Sequence, residues 1–333
     1  LLEIIMNIQT QATARIALVL GATGSFGSEM AAELIAHGWQ VRALQRDPVA
    51  ARLQLPDLPV TWVDGDAMIA GDVARAAEGV KLIVHAVNPP RYQRWRELAL
   101  PMLDHSIAAA KAQDARLVFP GVVYNYGPDA GEVVDEQAPQ HPLTRKGQVR
   151  LEMEDRLADS GVKTLIVRAG DFFGGRGVNA WFNHIFKGGQ PLRSMMYPGA
   201  HDVRHEWAYL PDMVRAAVRL VEREQDLQNF ERFHFSGYQL TGREFIDAVR
   251  TVTGNANLPA RSLPWFLIAM AAPFASLPRE LLEMRYLWQR QLLLNGDRLN
   301  SLLGNFERTP MLDALRNSLL AMDCLSNELS MLH

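Results

Sequence analysis

At 333 residues, with 48% apolar side chains, the chain is long enough to bury a large core in one large or two modest domains. Its net charge of -3, with no long basic run, excludes the electrostatic footprint of a nucleic-acid partner. The single cysteine, Cys324, excludes an internal disulfide and a cysteine-built metal cluster, and it suits a reducing, cytoplasmic setting.

Leu1 to Ala14 have neither the basic start nor the small-residue cleavage site of a secretory signal. They are expected to form a disordered leader, with Met6 a candidate for the natural start. A strand is predicted over 16–20 and a helix over 25–37, joined through Gly21-Ala22-Thr23-Gly24-Ser25-Phe26-Gly27. The three glycines do different things: one turns the chain off the strand, one lets backbone approach a pyrophosphate, and one lets helix and strand pack closely. Thr23, Ser25 and Phe26 complete a loop whose bound phosphates would meet the unpaired N–H groups of the helix start. A dinucleotide is the expected ligand.

The second strand, 40–44, leads into Gln45-Arg46-Asp47. An NAD site usually has an acid here, about 20 residues past the glycines, on the ribose 2′-hydroxyl. Arg46 at this tip instead matches a 2′-phosphate by forked hydrogen bonding, which favours NADP(H). The alternative leaves Arg46 as a solvated charge, puts Asp47 on the ribose and makes NAD(H) the cofactor.

A strand over 60–63 ends in Asp64-Gly65-Asp66-Ala67, and a helix over 71–78 and a strand over 81–85 follow, ending in Ala86-Val87-Asn88. Next come a helix over 93–113, a strand over 116–119 with Val123-Tyr124 behind it, and a helix over 145–159. A strand over 163–168 then opens into Arg168-Ala169-Gly170-Asp171-Phe172-Phe173-Gly174. This alternation predicts an α/β fold, a Rossmann-type doubly wound parallel sheet with ligands at the carboxyl ends of its strands.

Beyond residue 173, Gly174, Gly175, Gly177, Gly188, Gly189 and Pro191 break the chain into loops and short helices. His205 to Leu210 and Arg232 to Ser236 read as strands returning to the sheet around a helix over 212–224, and 241–333 reads as helices separated by loops. The expected domains are a nucleotide-binding domain over 15–173, rejoined by 205–236, and a smaller, mainly helical C-terminal substrate lobe over 174–204 and 237–333. The apolar stretch Leu263 to Leu277, interrupted by Pro264 and Pro273, falls short of the ~20 residues a membrane span needs. It is read as a buried or pocket-lining helix pair, and no membrane contact is expected.

Carrying these motifs in these places, the chain resembles the extended and atypical branches of the short-chain dehydrogenase/reductase superfamily, which include NAD(P)-dependent epimerase/dehydratase and NmrA-like proteins. The resemblance spans most of 16–320. It implies that Asp66 and Ala67 flank the adenine, that Ala86, Val87 and Asn88 join the cofactor site, and that Ala169, Gly170, Asp171 and Phe172 lie near the nicotinamide. It also implies pairing of two copies through helices of the nucleotide-binding half.

Enzymes of that superfamily mostly carry Tyr-x-x-x-Lys at the start of the helix after the fifth strand, with Ser or Thr on the loop before it. Here Thr144 stands at the tyrosine, Gln148 at the lysine and Pro120 at the serine, with Glu152 at a common acidic position. Hydride transfer to a carbonyl builds an alkoxide that needs a donor beside it. A threonine hydroxyl is too weakly acidic to be that donor, and glutamine carries no charge to activate a neighbour. Tyr124, Lys146 and Thr144 are the candidate catalytic side chains, and Tyr92, Tyr126, Trp181 and His205 the candidate substrate contacts. No metal is implied: His201 and His205 are four apart without a helical pattern around them, and no zinc or nucleophile-elbow signature occurs.

Three readings follow, in order of preference. The chain is an NADP(H)-dependent reductase of a small or medium organic substrate, a nucleotide-binding sensor of the NmrA type, or a nucleotide-sugar epimerase or dehydratase.

Overall fold

The computed structural model describes residues 15–89, 94–176, 182, 185–304 and 306–325. The expected leader 1–14 and the substrate candidates Tyr92 and Trp181 lie outside the described residues.

The chain runs β1 (Ile16–Leu20), α1 (Ser25–Ala36), β2 (Gln40–Gln45), α2 (Pro48–Gln54), β3 (Thr61–Asp64), α3 (Ala70–Ala76), β4 (Leu82–His85), α4 (Trp95–Gln113) and β5 (Arg116–Val122). It continues through β6 (Val133–Val134), α5 (Arg145–Asp159), β7 (Thr164–Ala169), β8 (Asp171–Phe173), β9 (Met195–Tyr197), β10 (Arg204–Tyr209), α6 (Leu210–Val221), β11 (Phe230–His234), β12 (Tyr238–Thr241) and α7 (Gly242–Thr253). Last come β13 (Ala260–Ser262), α8 (Trp265–Ala271), α9 (Ser276–Met284), α10 (Tyr286–Gln289), β14 (Leu293–Leu294), α11 (Asp297–Leu303) and α12 (Met311–Ala321).

Seven strands form one sheet in the order β11-β7-β5-β4-β1-β2-β3. From β3 through β2, β1 and β4 to β5 they pair in parallel. β4 and β7 are buried along their whole length and β1 from Ala17 onward, as continuous apolar runs should be when helices cover both faces. Because β2 flanks β1 on one side and β4 on the other, the strand order reverses at β1, and a crevice opens at the carboxyl ends of β1 and β4. The expected α/β class and doubly wound sheet are what the structure has.

The chain divides into two compact units. The first takes the described residues up to Phe119 together with Arg156–Leu165 and Gln228–Phe230; the second takes Pro120–Asp155, Ile166–Leu227 and the described residues from Glu231 on. In the first, α1 buries Phe26, Met30, Ala31 and Leu34, and α4 buries Leu100 and Leu103. The second has an aromatic core in which Trp207 stacks on Phe245 at 4.6 Å and meets Phe173 edge-on at 6.2 Å. Aromatic pairs of this kind add to the area they bury.

Three expectations need correction. Of the two strands expected to return to the main sheet, only β11 does so; β10 pairs with β8 and β12 in a separate three-stranded sheet. Gly170 makes this detour possible, since a Cβ there would lie 2.2 Å from the Glu206 carbonyl oxygen. Among the C-terminal helices run the short strands β12, β13 and β14, which pair with β10, β9 and β6. The apolar pair α8 and α9 is buried on one face only: Met284 joins the core, but Phe274 is 90% exposed and Phe266 75%.

Candidate active site

In the first unit the glycine loop is shaped by backbone crowding. Gly21 has φ +88°, and a Cβ on it would stand 2.6 Å from the Ala86 carbonyl oxygen and 2.8 Å from the Val87 nitrogen. A Cβ on Gly27 would stand 2.2 Å from the Gly21 oxygen. No other residue fits either place. Gly24 is the N-cap of α1 and uses no side chain to do it, so the first amides of the helix remain available to an anion. Phe26 is buried beneath the loop. This cradle fits a dinucleotide's pyrophosphate, as the sequence pattern anticipates.

Beside it, Thr23, Gln45, Arg46, Asp47, Ala50, Ala51 and Gln54 line a concavity of about 410 Å³. Gln45 Nε2 donates to Thr23 Oγ1 at 3.0 Å, and the Arg46 amide donates to Gln45 Oε1 at 3.0 Å, fixing the turn after β2. Asp47 is the N-cap of α2, its Oδ1 accepting the Ala50 amide at 2.9 Å with Pro48 in the first helical turn. The Arg46 side chain stands exposed at the rim.

The loop after β3 is equally well tied. Asp66 Oδ1 accepts the Met68 amide at 2.9 Å, and the Asp66 amide donates to Asp72 Oδ2, also at 2.9 Å. That last bond, more than any other contact, holds the Asp72 carboxyl below its ordinary range. His105 Nδ1 donates to the Ala67 carbonyl at 2.9 Å. Asn88 is exposed past the end of β4.

The second unit holds the candidate catalytic side chains, and packing has claimed two of them. Thr144 is buried, and its Oγ1 accepts the Gly147 amide at 2.9 Å while its carbonyl accepts the Gln148 amide at 2.9 Å. It is the N-cap of α5, which answers the first-turn needs of the helix. Gln148, expected at the lysine position, faces solvent. Lys146 is buried in an ion pair with Glu280. Tyr124 sits in a short 3-10 turn, half-buried against the aromatic core.

Tyr126 is wholly buried, with its hydroxyl donating to His234 Nε2 at 2.8 Å and the Arg168 guanidinium 5.0 Å over its ring. Burial pushes its phenol up to about 12, and burial also raises Tyr197, Tyr238 and Tyr286. None of these four phenols is an activated acid.

His205 and Asp171, candidates for substrate and cofactor respectively, meet directly. β10 lies beside β8 with Trp207 opposite Asp171, and His205 Nε2 donates to Asp171 Oδ2 at 2.8 Å. Trp288 stacks on the imidazole at 3.8 Å and Trp207 meets it edge-on at 5.0 Å. With Nε2 committed as donor, Nδ1 is the nitrogen left to accept a proton. The neighbouring Glu206 is buried, which pushes its carboxyl up against the pull of bonds from the Leu294 and Gly237 amides.

A model of the NAD dependent epimerase/dehydratase family matches residues 17–234. The chain belongs to this family. A 3-diazoavenalumate denitrifying reductase from a Streptomyces species is 28% identical to it over 232 residues, which are 62% of this chain and 72% of the relative. Among solved structures, WbmH of Bordetella bronchiseptica in complex with NAD+ superposes with a TM-score of 0.69 at 19% identity, covering 92% of this chain and 98% of that one. A UDP-glucose 4-epimerase of Thermotoga maritima, solved with UDP-glucose, gives 0.70 at 15% identity over 92% and 98%. At these identities the superpositions show the shared fold. As an epimerase/dehydratase family chain, it has the glycine cradle, while Thr144 and Gln148, which the sequence pattern leads one to expect at the Tyr-x-x-x-Lys positions, are a helix cap and a solvent-facing amide. The sequence marks Asp171 and His205 separately, but they stand 34 positions apart and meet only because β8 and β10 pair in one sheet, which no local pattern announces.

Proposed function

We propose that the chain is a cytoplasmic, NADP(H)-dependent reductase of a small or medium organic substrate whose reduction does not rely on a tyrosine–lysine acid. When bound, the cofactor supplies a hydride. The cradle Gly21, Gly24 and Gly27 with the α1 amides would hold its pyrophosphate. Arg46 would hold the 2′-phosphate, whereas Asp47 is less free to meet the ribose because it caps α2.

The observation that carries the reading is Thr144 as helix cap with Gln148 in solvent. A carbonyl that accepts hydride becomes an alkoxide and needs a donor. A diazonium carbon that accepts hydride loses dinitrogen with the bonding electron pair of its C–N bond, and no proton is consumed. The name of the Streptomyces reductase concerns a diazo compound, so this substrate class supports the reading best. If a proton is needed, the buried His205–Asp171 pair is the group of the second unit suited to deliver it.

The test is NADPH consumption with aryl diazonium salts and with aldehydes and ketones. Consumption with diazonium salts, released dinitrogen and little response to carbonyls are expected. Thr144 and Gln148 equally favour a second reading, a sensor that binds the cofactor and never oxidises it; tight binding with no consumption across the whole panel would establish that reading instead.

A further inference from the structure

Between Arg261 and Arg279 the chain carries no charged residue, and it folds there into the hairpin of α8 and α9. The two helices divide their apolar side chains. Leu263, Trp265, Leu281 and Met284 turn inward and join the aromatic core, and Trp265 Nε1 donates to the Pro198 carbonyl at 2.7 Å. Phe266, Leu267, Met270, Phe274 and Leu277 turn outward, each more than half exposed. An apolar patch of this size on one helical hairpin marks an interaction surface.

We infer that this hairpin docks the protein on an anionic membrane surface. The charges around it are sorted for that partner. Its acids face the body of the unit, Glu280 paired with Lys146 and Glu283 accepting the Arg145 amide, while Arg261 and Arg279 are exposed at the two ends of the uncharged run. Arg279 reaches the carbonyls of Ala272 and Pro273, beside Phe274 at the turn. On the parallel pair β9 and β13, exposed Met196 stands in register with Arg261 and widens the patch. Arginines level with headgroups above an apolar wedge match the pattern of a helix lying in the interface. A protein interface would need roughly one hydrogen bond per 100–200 Å² to fix its register, and these outward side chains offer none; fluid hydrocarbon needs none. Among the described residues no helix is long and apolar enough to cross a membrane, so the proposed contact is with the membrane surface, against the sequence-based expectation of no membrane contact.

The test is co-sedimentation of the full chain with vesicles of phosphatidylcholine mixed with phosphatidylglycerol, and of phosphatidylcholine alone. The wild type should partition onto the anionic vesicles at least about tenfold better, less so at high salt. Phe266→Glu/Phe274→Glu should lose at least about tenfold in that partition, and Arg261→Glu/Arg279→Glu should lose the preference for anionic lipid. Both pairs are exposed, and unchanged circular dichroism and NADPH binding would show that the variants fold. Protein that stays in the supernatant with every vesicle would overturn the proposal. So would equal sedimentation of the phenylalanine variant, or a wild-type dimer in analytical ultracentrifugation that this variant dissolves, which would make a second copy the occupant.

Discussion

The loop after β1 in the first unit and the start of α5 in the second are the two places where the sequence leads one to expect chemistry, and they are built differently. In the loop, the space left by Gly21 and Gly27 is filled by backbone oxygen and nitrogen, so substitution is barred whatever the function. At α5, the Thr144 hydroxyl caps the helix and Gln148 faces solvent, so these two side chains serve the helix start and the surface. A site made of backbone and a fold made of backbone are retained together, whereas a site made of side chains can change while the fold stays.

The sharpest way to test the second unit's dependence on side chains is its buried charge. Arg168 and Glu154 form an ion pair at 2.6 Å with both side chains out of solvent, and Asn125 donates to the same carboxylate. Glu154→Ala should cost about 3–5 kcal/mol in urea unfolding, because it leaves a guanidinium buried without its partner. A loss below about 1 kcal/mol, the range of an exposed pair, would remove this contrast between the units.

Acid should act on the same region. Burial, and then the Arg168 charge, depress His234 to about 3, and its Nδ1 donates to Val134 while Nε2 accepts from Tyr126. Between that value and the ordinary histidine range the unfolded chain binds the extra proton, so stability is full above about pH 6.5 and falls as pH drops toward 3. This group should contribute a slope of roughly 1 kcal/mol per pH unit. His234→Gln, compared by thermal melts from neutral to acid pH, should flatten that slope; an unchanged slope would assign it elsewhere.

In the first unit, Gly27→Ala should cost about 1–3 kcal/mol by overpacking and abolish cofactor binding in calorimetry. Retained binding would mean that the loop is only a turn. The smallest effect belongs to Thr144→Ala, about 1 kcal/mol in thermal stability from the lost cap, with substrate-dependent NADPH consumption unchanged.

These contrasts also explain what could be read from the sequence. β1, β4 and β7 were legible because apolar runs mark strands covered on both faces, and the cradle was legible because only glycine meets its geometry. Helix α2 was missed although Asp47-Pro48 is a start signal, and β6, β9, β13 and β14, of two or three residues, are too short for a period to show. The placement of β10 outside the main sheet depends on what Gly170 permits at a distance. Leu263 to Leu277 misled for a related reason: apolar composition states what water rejects, and leaves open whether protein or another phase covers it.

The proposed pairing of a cofactor site with reduction that needs no tyrosine–lysine acid is tested most directly by following NADPH with an aryl diazonium salt in the wild type and in Thr144→Ala. Substrate-dependent consumption at the same rate in both is expected. Consumption that disappears with the threonine hydroxyl, or NADPH that binds and is never oxidised by any substrate, would contradict it.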